Sequence, residues 1–352
     1  MRILGIESSC DETAASVVED GRRLLSNVIQ SQIDIHTVYG GVVPEVAARS
    51  HVEVAVPVIE AALEQSNSTW NDIDAIAVTY APGLIGSLMI GSLTARTLAL
   101  LKNKPLIPVH HVEGHVYANF LLEEAPAFPC LALIVSGGHS QLVLFKNHGD
   151  YELLGQTQDD AVGEAFDKVA KIIGLPYPGG PSIAHAAKNG DPYAYELPKA
   201  RMPRPYDFSF SGLKTAVLRA VQRQVGVDHT FPSHELAARL DEATRNDFAA
   251  SFQRVAIETL VGKTMKAFAD HSLASVVIAG GVAANQELRR QLQEALPIPI
   301  AYAPMNLCTD NAAMIAALGY YMHQSLPPTD PRQLEVIPSL SMTKTAWHTS
   351  VT

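Results

Sequence analysis

Arg2-Ile-Leu-Gly-Ile-Glu7 leads into Ser8-Ser-Cys-Asp-Glu-Thr13, and further along Cys130-Leu-Ala-Leu-Ile-Val135 leads into Ser136-Gly-Gly-His-Ser140. Each pair reads as a short apolar strand that ends in a polar turn. Two more strand patterns follow each turn. They are Ala14 to Val18 and Arg23 to Gln32 in the first case, and Gln141 to Lys146 and Tyr151 to Thr157 in the second. The chain thus starts twice in the same way, with a three-stranded meander. Repetition in the order of elements is the sign of an internal duplication.

The echo continues downstream. Val46 to Gln65 carries Val52, Val56, Ile59 and Leu63 at helical spacing, and Gly163 to Ile173 does the same with Phe166, Val169 and Ile173. Each half then has a buried strand that ends in glycine and feeds a helix: Ala75 to Tyr80 before Pro82-Gly83, and Ser275 to Ile278 before Gly280-Gly281. In the last step, Leu106-Ile-Pro-Val109 runs into a helix beginning near His111, and Ile298-Pro-Ile-Ala-Tyr302 into one beginning near Asp310. A pseudo-two-fold would make these helix starts equivalent and set them across a cleft from each other. This order predicts an α/β chain with a two-lobed ASKHA (actin/Hsp70/sugar-kinase-like) fold and an interlobe cleft. The expected divisions are an N-terminal lobe at 1–128, a C-terminal lobe at 129–325 with an insertion at about 176–237, and a tail at 326–352. The insertion is rich in Pro, Gly and aromatic residues, as a functional flap would be.

Composition limits the function classes. At 352 residues, 47% hydrophobic and 18% charged, the chain can bury a large core. A net charge of −10 argues against sequence-blind nucleic-acid binding, which relies on a positive surface. A local patch is still open to RNA, with Arg201, Arg204 and Lys214 as candidates, whereas the Arg289-Arg290 pair reads as solvated surface. Three scattered cysteines, Cys10, Cys130 and Cys308, form no CxxC and fit a reducing compartment. Met1 leads directly into a strand, so no signal peptide is expected. Ala75 to Ala95 is uncharged, but Pro82, Gly83 and Gly86 interrupt it, and a strand followed by a helix explains it better than a membrane span. The expectation is a soluble cytoplasmic protein.

His111-Val-Glu-Gly-His115 is the most chemically pointed segment. On a helix, residues four apart share a face, so both imidazoles can grip one metal and a distant carboxylate, Asp310, can complete the set. Alternatively the histidines are ordinary surface groups and Asp310 is a helix N-cap, or Thr309 caps and leaves Asp310 to point at the metal. Gly114 costs about 1 kcal/mol mid-helix relative to Ala, which suggests a close neighbour there. The motif is not HExxH, because Glu113 sits midway between the histidines and points away from their face. His110 also lies off that face. Cys308 reads as core. The turns Ser136-Gly-Gly-His-Ser140 and Ser8 to Thr13 can offer backbone N–H groups to a phosphate, or simply close hairpins. Asp11 and Glu12 suit proton transfer or a metal. Gly280-Gly281 with Asn285 reads as a ligand approach or as a capped helix start. No Walker A pattern occurs. Tyr177-Pro-Gly-Gly-Pro181 and Asp207-Phe-Ser-Phe-Ser-Gly-Leu-Lys214 read as structural turns or, through Gly180 and Lys214, as ligand contacts.

Taken in order, Ile6-Glu-Ser-Ser-Cys-Asp-Glu-Thr13, His111-Val-Glu-Gly-His115, Ser136-Gly-Gly-His139, Asp207 to Lys214 and Cys308-Thr-Asp-Asn311 resemble the TsaD/Kae1/Qri7 family, formerly called glycoproteases. The resemblance runs from residue 1 to about 325, and the tail beyond about Pro328 looks peculiar to this chain. It implies a tRNA N6-adenosine threonylcarbamoyltransferase that uses L-threonylcarbamoyladenylate. It implies one metal ion, Fe(2+) or else Zn(2+), on His111, His115 and Asp310. It implies an adenylate or nucleotide (ATP/ADP) site at Ile134, Val135, Ser136, Gly137 and Gly138 with Asp167, Gly180 and Asn285. Some relatives have an acidic ligand contact where this chain has Ala184. Asp11 and Glu12 are the catalytic candidates, and Ser8, Ser9, His139, Lys214, Gly280 and Gly281 are further contact candidates. The implied partners are the tRNA substrate, TsaB as heterodimer mate through the N-terminal lobe, the ATPase TsaE, and a TsaC-type enzyme that supplies the adenylate. The competing readings are a metal-dependent peptidase, which the position of Glu113 disfavours, an ASKHA small-molecule kinase, and a non-catalytic scaffold.

Overall fold

The protein was analysed as a computed structural model, which describes residues 1–345 and Trp347. Strands β1 (Arg2–Glu7), β2 (Glu12–Glu19), β3 (Arg23–Ser31), β4 (Ala75–Ala81) and β5 (Leu106–His110) form a sheet ordered β3-β2-β1-β4-β5. The meander β1-β2-β3 is antiparallel, whereas β1-β4 and β4-β5 are parallel. Helices α1 (Ile33–Thr37), α2 (Pro44–Gln65), α3 (Ile85–Lys102) and α4 (His111–Tyr117) punctuate this half. The second sheet contains β6 (Cys130–Val135), β7 (Ser140–Asn147), β8 (Asp150–Gln156), β9 (Ser275–Ala279) and β10 (Ile300–Tyr302), ordered β10-β9-β6-β7-β8. Read from the meander edge, the strand order is the same in both. The duplication seen in the sequence is therefore a duplication of topology.

In the second half the helices are α5 (Val162–Ile173), α6 (Gly179–Ala186), α7 (Ser211–Gln224), α8 (Glu242–Asp270) and α9 (Gln286–Ala295), followed by α10 (Met305–Cys308) and α11 (Ala312–Ser325). The stretch 176–237 contains α6 and α7, which pack against α5 and α8, so much of it is built into the fold. Ala75 to Ala95 divides into β4 and most of α3, and no helix among the described residues is long and apolar enough to cross a membrane.

The chain separates into two compact units whose limits differ from those expected. Unit 1 is Met1–Cys130 with Phe145–Glu152 and Ala301–Thr352; unit 2 is Leu131–Leu144 with Leu153–Ile300. Residues 301–325, expected in the C-terminal lobe, therefore count with unit 1, and so does the tail. The reason lies in the alternation of β1 and β4. Side chains one apart on a strand point to opposite faces. Leu4, Ile6, Ile76 and Val78 share a core cluster with Val58 and Ile59 of α2 and Ala95 of α3. Ile3, Gly5 and Ala77 face the other way, where α11 lies: a Cβ on Gly5 would meet the carbonyl oxygen of Ala312 at 2.2 Å, and one on Gly319 would meet Ala77 Cβ at 2.6 Å. The α11 residues Ala312 to Leu318 are all buried. The unit 1 sheet thus needs α11 to cover its second face, and the hydrophobic gain binds the end of the chain to its beginning.

The tail continues over unit 1. Thr329 N donates to Leu106 O, Ile337 N to Tyr80 O, and Gly83 N to Pro338 O. Leu334 joins the core cluster, and Trp347 is buried.

Candidate functional site

The β5–α4 junction and the turn before α11 bring His111, His115 and Asp310 together, all within unit 1. They meet inside one unit and not as two equivalent helix starts in opposite lobes, because α11 packs on α4 as well as on β1. One ligand atom from each lies within 4.8 Å of the others. Nε2 of His111 is 3.5 Å and Nε2 of His115 3.3 Å from Asp310 Oδ1. The rings stand edge-on, with centroids 4.6 Å apart. Among the described residues this is the one group of His, Cys, Asp or Glu side chains arranged to hold a metal ion.

A divalent metal fits this set. His115 is buried, and neither of its ring nitrogens has a hydrogen-bond partner. A buried polar atom left unsatisfied is costly, and a cation at Nε2 would remove that cost for the nitrogen facing Asp310. His111 is held from behind: Nδ1 is 3.1 Å from Glu7 Oε2 and 3.1 Å from Ser9 Oγ. A carboxylate only accepts, so Nδ1 carries the proton and Nε2 presents its lone pair toward Asp310, the usual arrangement of a carboxylate behind a metal-binding histidine. Burial works against a charged His111, but Asp310 and Glu7 outweigh it and raise its pKa to about 9.

Glu7 is the site residue that the sequence reading passed over. It shares strand parity with Ile3 and Gly5 and so faces α11 and α4. It is fully buried, accepts from Ser9 N at 2.5 Å and from Thr79 Oγ1, and its pKa is lowered: burial raises it, but the charge and hydrogen bond of His111 prevail. A carboxylate closing an otherwise apolar strand was the available signal.

The turn before α11 is capped by neither Thr309 nor Asp310. Asn311 is the N-cap, its Oδ1 accepting from Met314 N at 3.0 Å, while its Nδ2 donates to Leu307 O and Thr309 O. Capping by Asn311 leaves the Asp310 carboxylate to the metal trio. Gly114 has the close neighbour its position suggested, the side chain of Ile315 on α11, 2.9 Å from where a Cβ would sit. Glu113 is turned away from the trio: Tyr151 Oη and Thr345 Oγ1 donate to its Oε1. That removes it as the base of a peptidase site. His110 is also elsewhere, donating from Nε2 to Leu340 O. Cys308 is core, its thiol on Ala303 O.

Of the catalytic candidates, Glu12 lies at the start of β2 opposite Ser31, so the polar turn is shorter than expected. Burial, then the charges of Asp310 and Asp11, push its pKa up to about 9. Asp11 accepts from Gln32 N through its backbone carbonyl.

Unit 2 holds the other candidates. Ser136 N donates to His139 O at 2.8 Å and His139 N to Ser136 Oγ at 3.2 Å, closing a turn with Gly137 and Gly138 exposed at its tip. Nothing lies within 4 Å of a Cβ built on Gly137, Gly138, Gly180 or Gly281. Gly280 is needed as glycine, since its φ is +90° and a Cβ would strike Val135 O at 2.4 Å. This locks β9 onto the end of β6, below the glycine turn. Ile134 and Val135 are buried in β6. Asp167 Oδ1 accepts from Gly179 N at 2.7 Å and so positions the start of α6, where Gly180 lies. Asn285 is the N-cap of α9 and also donates to Gln253. Lys214 is ion-paired to Asp160 at 2.9 Å, and Asp159 accepts from Phe210 N and Ser211 N, so the Asp207–Lys214 motif is anchored in structure. Arg290 is exposed and paired with Glu287 and Glu294, as solvated surface should be, whereas Arg289 is half-buried and its Nε donates to Ala283 O.

Two sheets of one strand order, each opened by a strand-turn-strand, define an ASKHA-type α/β protein. Solved structures share the fold: component A of (R)-2-hydroxyglutaryl-CoA dehydratase from Acidaminococcus fermentans (TM-score 0.51, 16% identity, 92% of this chain and 100% of that one) and full-length HypF (TM-score 0.55, 13% identity, 94% and 47%). The chain belongs to the TsaD family, described as tRNA N6-adenosine threonylcarbamoyltransferase, whose profile matches residues 23–317. Relatives of that name include proteins of Thermomicrobium roseum (53% identity over 92% of this chain and 92% of the relative) and Dehalococcoides mccartyi (51%, 97% and 100%). A match over 97% of the chain extends past Pro328, so the tail is not peculiar to this protein.

Proposed function

We propose that the protein transfers the threonylcarbamoyl group from L-threonylcarbamoyladenylate to N6 of adenosine 37 in tRNAs that read codons starting with A, giving t6A37 and AMP. The observation that carries this reading is half-identity, over nearly the whole chain, to proteins named for that transfer. The grouping of buried His111 and His115 with half-buried Asp310 supports it.

In the reaction the amine nitrogen bonds to the carbamoyl carbon, the bond from that carbon to the AMP phosphate oxygen breaks, and one amine proton is lost. The amine is a poor nucleophile because its lone pair is shared with the purine, but the mixed anhydride is already activated, so this step needs no ATP. His111, His115 and Asp310 would hold the metal; two imidazoles and a carboxylate suit both Fe(2+) and Zn(2+), and the family resemblance favours Fe(2+). When bound, such an ion supplies Lewis acidity to a carbonyl or phosphate oxygen. Glu7 fixes the tautomer of His111. Within the Ile134–Gly138 stretch, the exposed backbone N–H groups of Gly137 and Gly138 stabilise the departing phosphate, as they would that of ATP or ADP. Asp167, Gly180 and Asn285 orient the nucleoside, and Asp11 or Glu12 takes the amine proton.

The partners follow the same reading. Val52 and Val56 on α2, and Ile85, Met89 and Leu93 on α3, are more than half exposed at i, i+4 spacing on two helices that pack together. Apolar stripes of this kind mark an interaction surface, and TsaB is the proposed occupant. TsaE, a TsaC-type supplier of adenylate and a cytoplasmic setting complete the proposal.

The test is to incubate the purified protein with threonylcarbamoyladenylate and unmodified tRNA, with and without these partners, and to assay t6A and metal. The reading expects t6A from the wild type and little from His115→Ala. A His111→Ala protein that folds, lacks metal and still forms t6A at the wild-type rate would remove the metal from the mechanism.

A further inference from the structure

The Ser8–Cys10 turn is tied at both faces of the unit 1 sheet. On the α11 face, Ser9 Oγ touches His111 Nδ1 at 3.1 Å, and Ser9 N donates to the same Glu7 that holds His111. On the opposite face, α3 grips the turn: Ser8 Oγ donates to Ser87 O at 2.9 Å, Ser87 Oγ to Cys10 O at 3.0 Å, and Leu84 N to Ser9 O at 2.8 Å. From α2, His51 Nε2 donates to the same Cys10 O at 3.0 Å. A carbonyl only accepts, so Nε2 carries the proton and Nδ1 accepts from Thr13 Oγ1 at 2.7 Å. His51 and Ser87 are both buried, and neither is near enough to be a metal ligand. The turn has little room to adjust: a Cβ on Gly83 would sit 2.5 Å from Ser9 O, and one on Gly91 would overlap Ser8 Oγ.

We infer that His51 and Ser87 are positioning residues for the metal ligand His111, acting through the Ser8–Cys10 turn. The bonds form a continuous path from α2 and α3, round the end of β1, to the back of His111. Loss of either anchor frees Cys10 O to seek another donor and lets Ser9 drift from His111 Nδ1. Groups behind a metal ligand typically set metal affinity within a factor of 10–100. The inference rests on the trio being a metal site.

Cobalt(II) serves as the probe, because its visible absorption reports ligand geometry and binding together. Full-length wild type, His115→Ala, His51→Leu, His51→Gln and Ser87→Ala would be titrated against a chelator of known affinity, with circular dichroism to check folding. His51→Leu and Ser87→Ala are expected to weaken cobalt binding about 10-fold or more and to shift the absorption band. Gln can donate to Cys10 O and accept from Thr13, so His51→Gln should recover most of the affinity. Equal binding by wild type and His115→Ala would overturn the metal site itself. Cobalt binding by wild type, lost in His115→Ala but unchanged in affinity and spectrum in folded Ser87→Ala, would overturn the inference alone. So would a His51→Gln protein as impaired as His51→Leu. Should His51→Leu fail to fold, Ser87→Ala and His51→Gln decide the matter.

Discussion

Replacing Gly5 by alanine should damage the proposed metal site through helix α11. The new methyl would lie 2.2 Å from the carbonyl oxygen of Ala312, 2.9 Å from Ala316 N and 3.0 Å from Ala316 Cβ. Two of these are backbone atoms of a buried helix, so no side chain can swing aside. Ordinary contact begins near 3.4 Å, so α11 must move by about 1 Å. Overpacking of this kind costs about 1–3 kcal/mol. The helix starts two residues after Asp310, so the same displacement moves that carboxylate relative to His111 and His115. Metal–ligand distances tolerate about 0.2 Å, so a shift several times larger should cost about 10-fold or more in metal affinity. Urea unfolding of the metal-free protein reads the first effect and chelator competition the second. A Gly5→Ala protein with wild-type stability would refute the packing argument. One destabilised yet with unchanged metal affinity would refute the claim that α11 sets the position of Asp310.

Three further outcomes are expected. Burial pushes Glu113 up to about 7, against the pull of its bonds from Tyr151 and Thr345, from an ordinary 4.5. Its folded pKa is raised, so stability is full below 4.5 and about 3 kcal/mol is lost by the time the pH passes 7; Glu113→Gln should lose less over that window in urea titrations at pH 5 and 7.5, and parallel losses would contradict this. Trp347 is buried, and its indole lies against Gly149, so Trp347→Ala should cost about 3–5 kcal/mol by urea unfolding, whereas a change below about 1 kcal/mol would mean the tail is no part of the core. Met89→Asp with Leu93→Asp should leave the thermal midpoint of the protein alone nearly unchanged while weakening TsaB capture at least 100-fold in a surface-binding assay, and wild-type capture would relocate that interface.

The order of elements was legible because periodicity is local. The apolar run Ile3-Leu-Gly-Ile6 and the helical spacing of Val52, Val56, Ile59 and Leu63 are written in neighbouring residues, although only Ile59 and Leu63 of that helix face the core; the strand order, the same in both sheets, came from the structure. The grouping of His111, His115 and Asp310 was legible through the spacing of the two histidines. Its setting was not, because which unit α11 belongs to depends on the absence of a side chain at Gly5 and Gly319, a tertiary fact. Glu7 offered one signal, a carboxylate closing an apolar strand, but its partners are tertiary: the pairing of β1 with β4 sets it beside Thr79, and it lies behind His111. The N-cap was placed at Thr309 or Asp310 when Asn311 holds it, an ambiguity that three adjacent capping residues make unavoidable from sequence.

Duplication alone would have given each half its own helix start at the end of its last strand, with no reason for the two to share a ligand. What joins them is the second face of the first sheet. Once α11 covers Ile3, Gly5 and Ala77, the residue two positions before it must lie where β1 and β5 end, and that is where α4 begins. All three proposed ligands, the carboxylate behind His111 and the serine beside it are then fixed by the packing of one unit. The metal affinity of this protein should therefore follow the stability of the β1–α11 contact, and variants in the unit 2 glycine turn, such as Gly137→Ala with open space around it, should leave it unchanged.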